Sequence, residues 1–305
     1  MREEYGYSID KLIGEYDGYL CDCCGASERT RLRYTSHAKT FLQERFGSST
    51  PDLGKLAVAD VIRFVTERAA RYKPKTTKLA ATAIRSFLRF LCITGRCNER
   101  LVSAVPTIPS FRLSSIPTSL SDEQLTRLLQ CIDRSKPVGC RDYAMIQCMA
   151  GLGLRAGEVA RLSLDDIDWR SAILRIPTSK ARRFDELPLV DDVGKGIADY
   201  LRNGRPQTDV RQVFVQHMFS IGSGLSSSAV SCAVRRAFNR TDFDLPAKGA
   251  HVLRHTLGAR MVRKGVSIKA IADVLRHRHI DTSMIYTKVD LPRLREVALP
   301  WPEAY

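Results

Sequence analysis

Apolar positions recur at helical spacing through residues 27–102. Over 30–46, Leu32, Tyr34, His37, Phe41 and Phe46 form one stripe with charged residues between them. Residues 57–71 repeat the pattern through Val61, Ile62, Phe64 and Val65, with Asp60 in an early turn. Pro74-Lys75-Thr76-Thr77-Lys78 opens a third helical segment, 79–91, with Ile84, Phe87, Leu88 and Leu91 inward. Its other face presents Lys75, Lys78, Arg85 and Arg89. The pattern then lapses: Pro106, Pro109 and Pro117 fall within 105–118, and prolines at that density keep a segment extended. Ser121-Asp-Glu-Gln124 reads as a capping box and starts a new unit. Residues 142–149 follow as a buried helix closed by Gly151 and Gly153, and Glu158 begins the next. Strand alternation occurs at 172–176, answered at 186–190 across a polar loop. The chain therefore divides into an N-terminal extension (1–26) expected to be flexible, a helical unit (27–104), a linker (105–118) and a second unit (119–305).

Charge changes the picture. The 305 residues carry 48 Lys+Arg against 33 Asp+Glu, a net charge of +15. A basic surplus of this size points to a polyanionic partner, since neutralising phosphates releases counterions. No apolar run reaches the ~18–20 residues of a spanning helix, and Met1-Arg-Glu-Glu-Tyr begins too acidic for a signal peptide. Cys92, Cys97, Cys131, Cys140, Cys148 and Cys232 stand singly in apolar helical contexts, as buried reduced thiols do. Cys21, Cys23 and Cys24 lack the second pair a zinc site needs. A cytoplasmic location is expected.

Candidate chemistry is concentrated in the second unit. Arg155 stands in Gly-Leu-Gly-Leu-Arg-Ala-Gly-Glu; its partner at i+3, Glu158, could make it a structural ion pair or a steadied anion binder. His251 and Arg254 share a helix face at i, i+3. His251 and His255, at i, i+4, would also suit zinc, with His277 or His279 as a further ligand. That arrangement would explain neither arginine nor the tyrosine, Tyr286, nine positions after His277. Alone, a tyrosine in Ile-Tyr-Thr is a core residue. The loop between the two strands carries Lys180, Arg182 and Arg183, which by themselves describe an ordinary basic loop.

Taken in order, Arg155, His251-x-x-Arg254, His277 and Tyr286 resemble the tyrosine recombinase (phage integrase) family. The resemblance runs from about residue 27 onward and is specific in the second half, compositional in the first. It implies a mainly α fold: an N-terminal helical, SAM-like core-binding domain, and a mostly helical catalytic domain with a small antiparallel sheet, the DNA breaking-rejoining fold. It further implies that Arg155 and Arg254 grip the non-bridging phosphate oxygens, with Glu158 steadying Arg155. Tyr286 would attack phosphorus with His251 as base and His277 donating to the phosphate. Lys180, eight residues before Pro188 as in the family, would protonate the leaving 5′-oxygen, with Arg182 and Arg183 as rivals. Neither cofactor nor metal is implied, and the partner is double-stranded DNA with paired sites. Assembly would be a homotetramer, or a heterotetramer with a sister recombinase, on that DNA. DNA contacts would include Lys75, Lys78, Arg85, Arg89, Arg182 and Arg183. A type IB topoisomerase or an inactive DNA-binding protein of the same fold are the other readings. In one place the sequence departs from the pattern: Leu275-Arg276-His277 stands where the family commonly has Leu-Gly-His. A left-handed backbone at arginine costs about 1 kcal/mol. Beyond Tyr286, Asp290-Leu-Pro-Arg-Leu-Arg-Glu-Val-Ala-Leu reads as a short helix, which in the family docks on a neighbouring protomer.

Overall fold

In a computed structural model the described residues are 8–109, 116–177, 184–277 and 279–289. They belong to two compact units, Met1–Phe111 and Arg112–Tyr305, whose division falls within the proline-bearing stretch 105–118.

The first unit contains α1 (Ile9–Asp22), α2 (Glu28–Phe46), α3 (Val58–Arg71), α4 (Pro74–Ile93) and the short α5 (Glu99–Ser103). Helix α1 corrects the expectation of a flexible extension. Ser8 caps it, and Leu12, Tyr16 and Leu20, at i, i+4 and i+8, are buried against the other helices. The Tyr16 ring meets Phe87 edge-on at 5.1 Å, and its hydroxyl donates to the Ala83 carbonyl. Each such buried side chain contributes roughly 2 kcal/mol, enough to hold a 14-residue helix in place. The stripe expected on α2 is rotated: Ala38, Phe41 and Leu42 are buried while Leu32 is exposed. Likewise Ile62 lies on the open side of α3, next to the buried Val61, Phe64 and Val65.

The cysteines also differ from expectation. Of the six single ones only Cys140 and Cys148 are buried. Cys232 is exposed because it lies on the far side of its helix from Val230, Ala233 and Val234.

The second unit begins with the capping box. Gln124 N donates to Ser121 Oγ (3.1 Å) and Ser121 N to Gln124 Oε1 (2.9 Å), opening α6 (Asp122–Gln130). At the centre lies α7 (Pro137–Leu152), buried along nearly its whole second half. Around the same core lie α8 (Ala156–Arg161), α9 (Asp191–Asn203), α10 (Ser227–Asn239) and α11 (Ala250–Arg263), followed by α12 (Ile268–Val274). Two 3-10 turns, Ile280–Thr282 and Met284–Val289, complete the described part.

An antiparallel sheet, β1 (Ile167–Asp168), β2 (Ile173–Pro177) and β3 (Phe184–Pro188), packs Leu174, Ile176 and Leu187 into this core. Leu174 pairs with Leu187 and Ile176 with Asp185. Strand β1 is too short to show alternation in sequence. The third strand begins earlier than the alternation suggests, and Val190 caps α9 instead of extending it. Lys180, Arg182 and Arg183 lie outside the described residues, as does the tail helix expected from Asp290 onward. Among the described residues no helix is long and apolar enough to cross a membrane.

Candidate active site

Helix α7 stops at Gly153, whose φ of +63° turns the chain into the left-handed region. A Cβ there would come within 2.6 Å of Leu275, so glycine is needed for the close approach as well as for the turn. Two residues later Arg155 caps α8. Its backbone N–H donates to Glu158 Oε2 (2.8 Å), its Nη1 to Glu158 Oε1 (2.7 Å) and its Nη2 to the Arg276 carbonyl (3.2 Å). The Arg155 side chain remains 41% exposed, so its charge is held in place and still reaches solvent.

Arg254 arrives from α11 and is 4% exposed. Its two terminal nitrogens donate to the carbonyls of Gly153 and Leu275. The two arginines thus hang on consecutive carbonyls, Leu275 and Arg276, in the turn leading to His277. Burial, then repulsion from Arg155 and Arg276, lowers the Arg254 pKa to about 10. Concentrated like charge in a half-dry site favours a bound anion. Glu158 lies on the other side of the balance: burial opposes its charge, but Arg276 and Arg155 outweigh burial and keep the carboxyl below its ordinary range.

His277 Nδ1 shares a 2.7 Å hydrogen bond with the buried Ser283 hydroxyl. Its ring lies nearly parallel to that of Tyr286, centroids 6.5 Å apart. Tyr286 itself is fully buried among Val262, Ile271 and Leu275. Gly258 on α11 provides the room for its ring; a Cβ at that position would fall 2.5 Å from the ring carbon bearing the hydroxyl. The hydroxyl meets Nδ1 of His255 at 3.0 Å. Burial, only partly offset by Arg254, raises the phenol pKa to about 12. In this placement the tyrosine holds its proton.

His255 is therefore the imidazole on the Tyr286 hydroxyl. The sequence offered it as a zinc partner of His251, and that i, i+4 spacing was the available signal. His251 is exposed at the start of α11, its ring 6.4 Å from that of His255. His279 is exposed. Among the described residues no group of three His, Cys, Asp or Glu side chains gathers as a metal site.

Of the basic residues on α4, Lys75, Lys78 and Arg89 are exposed. Arg85 is half-buried and donates to the carbonyls of Val105 (3.0 Å) and Pro106 (3.4 Å), which gives it a structural task in closing the first unit.

Burial and the nearby cations hold the pKa of both His255 and His277 down to about 4. The ordinary value is about 6.5. Between these values the unfolded chain binds the additional protons, so this stability is fully present above about pH 6.5 and declines as pH falls toward 4. A melting series should show Tm dropping below about pH 6.5, with a shallower slope in His255→Gln. A flat profile would contradict neutral buried imidazoles.

Comparison with known proteins gives a consistent result. A profile described as the phage integrase family matches residues 118–292. The chain is 42% identical over 295 residues to y4rA of Sinorhizobium fredii, named as an integrase/recombinase, covering 97% of this chain and 72% of that protein. Its fold is similar to a crystal structure of the site-specific recombinase XerH bound to a palindromic difH substrate in a post-cleavage complex. There the TM-score is 0.75 at 18% identity, over 99% of both chains. A lambda integrase tetramer bound to a Holliday junction matches with TM-score 0.68 at 17% identity, over 90% of this chain and 78% of that one.

Proposed function

The chain belongs to the phage integrase family of tyrosine recombinases, and on that premise we propose that it cleaves and rejoins DNA at paired sites through a 3′-phosphotyrosyl intermediate, without metal or ATP. The observation that carries this reading is the pair of arginines anchored on the consecutive carbonyls of Leu275 and Arg276, beside His277 and Tyr286. Planar guanidinium groups match phosphate oxygens in pairs and stabilise the charge that develops on a transferring phosphoryl group.

In this mechanism Arg155 and Arg254 clamp the non-bridging oxygens of one phosphodiester, and His277 donates to the same phosphate. Tyr286 leaves the pocket over Gly258, because a fully buried hydroxyl with a pKa near 12 reaches no phosphorus. His251, exposed on the same helix, takes the phenolic proton as the Tyr286 oxygen attacks phosphorus. The bond from phosphorus to the 5′-oxygen breaks, and Lys180 supplies the proton to that oxygen. The phosphotyrosyl bond conserves the energy of the broken phosphodiester, so a 5′-hydroxyl from a second duplex can reverse the attack and reseal. Lys75, Lys78 and Arg89 on α4 provide an exposed basic face for the duplex, in keeping with the first unit as a DNA-clamping domain and the second as the catalytic one. Four copies on two duplexes would bring the partner 5′-hydroxyls within reach, in line with a lambda integrase tetramer bound to a Holliday junction, and the reaction is assigned to the cytoplasm.

Sequencing the DNA that flanks this gene for inverted repeats around a short spacer, and placing two copies of such a segment on a plasmid, tests the reading. With EDTA present, the purified protein should yield the deletion or inversion product from that plasmid. Relaxation of supercoils without any recombinant product would instead indicate a nicking-closing enzyme, and a need for added zinc would overturn the metal-free clamp.

A further inference from the structure

The turn after α12 contains an arginine that the reaction described above does not use. Arg276 has a φ of +52°, in the region that favours glycine, although its side chain is only 7% exposed. A long cationic side chain persists in such a conformation only when its surroundings compensate. Here they do so through a closed set of bonds. Arg276 Nη2 donates to Glu158 Oε2 at 2.7 Å, and Nη1 to the Val274 carbonyl at 3.2 Å. The same carboxylate takes Arg155 Nη1 and the Arg155 backbone N–H. The Arg276 carbonyl takes Arg155 Nη2. Both ends of residue 276 therefore bear on Arg155, the side chain through Glu158 and the carbonyl directly.

Arg276 Nε is buried and finds no hydrogen-bond partner among the described residues; it lies 3.9 Å from Asp185 Oδ2 on β3. The terminal nitrogens of Arg276 bond Glu158 and its own turn, so its contact with the arginine clamp runs through Glu158 and its carbonyl. We propose that Arg276 is a positioning residue: it fixes Glu158 and the Leu275–His277 turn so that the Arg155 fork is aimed before DNA arrives, and it joins that clamp to strand β3. The left-handed turn keeps its carbonyl pointed at Arg155. Glu158, shared between two arginines, cannot turn away from either.

This inference rests on the cleavage reading above, and the test separates the two. Wild type, Arg276→Gly and Arg276→Lys are mixed at saturating concentration with a nicked suicide duplex carrying the site, with Tyr286→Phe as the blank. Glycine suits the left-handed turn, so Arg276→Gly should stay folded and bind uncleaved duplex with an unchanged Kd. Its single-turnover cleavage rate should fall by about a hundredfold, the effect of misplacing a reacting group by about an ångström. Arg276→Lys, which retains the charge on Glu158, should recover part of the rate. In an Arg155→Lys background Arg276→Gly should add little, since both changes remove one device.

Cleavage by Arg276→Gly at the wild-type rate would overturn the proposal. So would a loss that follows the unfolded fraction at the assay temperature, or one residing wholly in Kd. Absence of an adduct with wild-type protein would instead remove the cleavage reading, and this inference with it.

Discussion

Arg155→Lys is expected to lower DNA cleavage by about 10²–10³-fold, the effect of removing one preorganised charge-stabilising donor, while folding and DNA binding survive. Lysine retains the positive charge but loses the planar fork. Arg155 at present divides that fork between Glu158 Oε1 and the Arg276 carbonyl, with its outer face open to solvent. A lysine can satisfy one of these partners and then presents no second, oriented N–H to a phosphate oxygen. The cap of α8 is unaffected, because it is the backbone N–H of residue 155 that donates to Glu158. Lysine keeps the positive charge beside Glu158, and the replaced side chain is 41% exposed, so Tm should shift by only a few degrees. Arg254 provides the contrast. It is buried on two backbone carbonyls, so shortening it leaves both unsatisfied and should destabilise the protein as well as disarm it. Single-turnover cleavage alongside a melting curve distinguishes the cases. A large fall in Tm for Arg155→Lys with little loss of cleavage would mean that the Arg155–Glu158 pair is structural.

How much of this was legible in the chain varies by feature. Helices α2, α3, α4 and α7 could be read because each buries apolar residues at helical spacing, and the capping box at Ser121 because its two bonds involve only neighbours in sequence. The candidate residues Arg155, His251, Arg254, His277 and Tyr286 could be picked out because few side chains suit a phosphate clamp and their order is distinctive. What escaped was tertiary. Nothing local reveals that Tyr286 is inserted over Gly258 with its hydroxyl on His255, since those partners lie about thirty residues apart and meet only through packing of the last turns on α11. Helix α1 carried its signal in Leu12, Tyr16 and Leu20, whose burial depends on Phe87 and Ala83, residues about seventy positions away. Arg276 was visible as a departure from Gly; its bonds to Glu158 depend on a residue 118 positions away.

The resting position of Tyr286 gives the account its sharpest consequence. A phenol that is fully buried and bonded to His255 must move to react, and the proposed mechanism makes its oxygen the covalent link to DNA. Incubation of wild-type protein with a nicked suicide duplex carrying its site, followed by SDS denaturation and peptide mapping, should yield a DNA adduct on the tryptic peptide containing Tyr286. Tyr286→Phe, which removes one buried hydroxyl and preserves the ring over Gly258, should bind the same duplex and give no adduct. DNA trapped by the Phe variant, or wild-type DNA mapped to any other residue, would contradict the assignment of Tyr286 as the nucleophile.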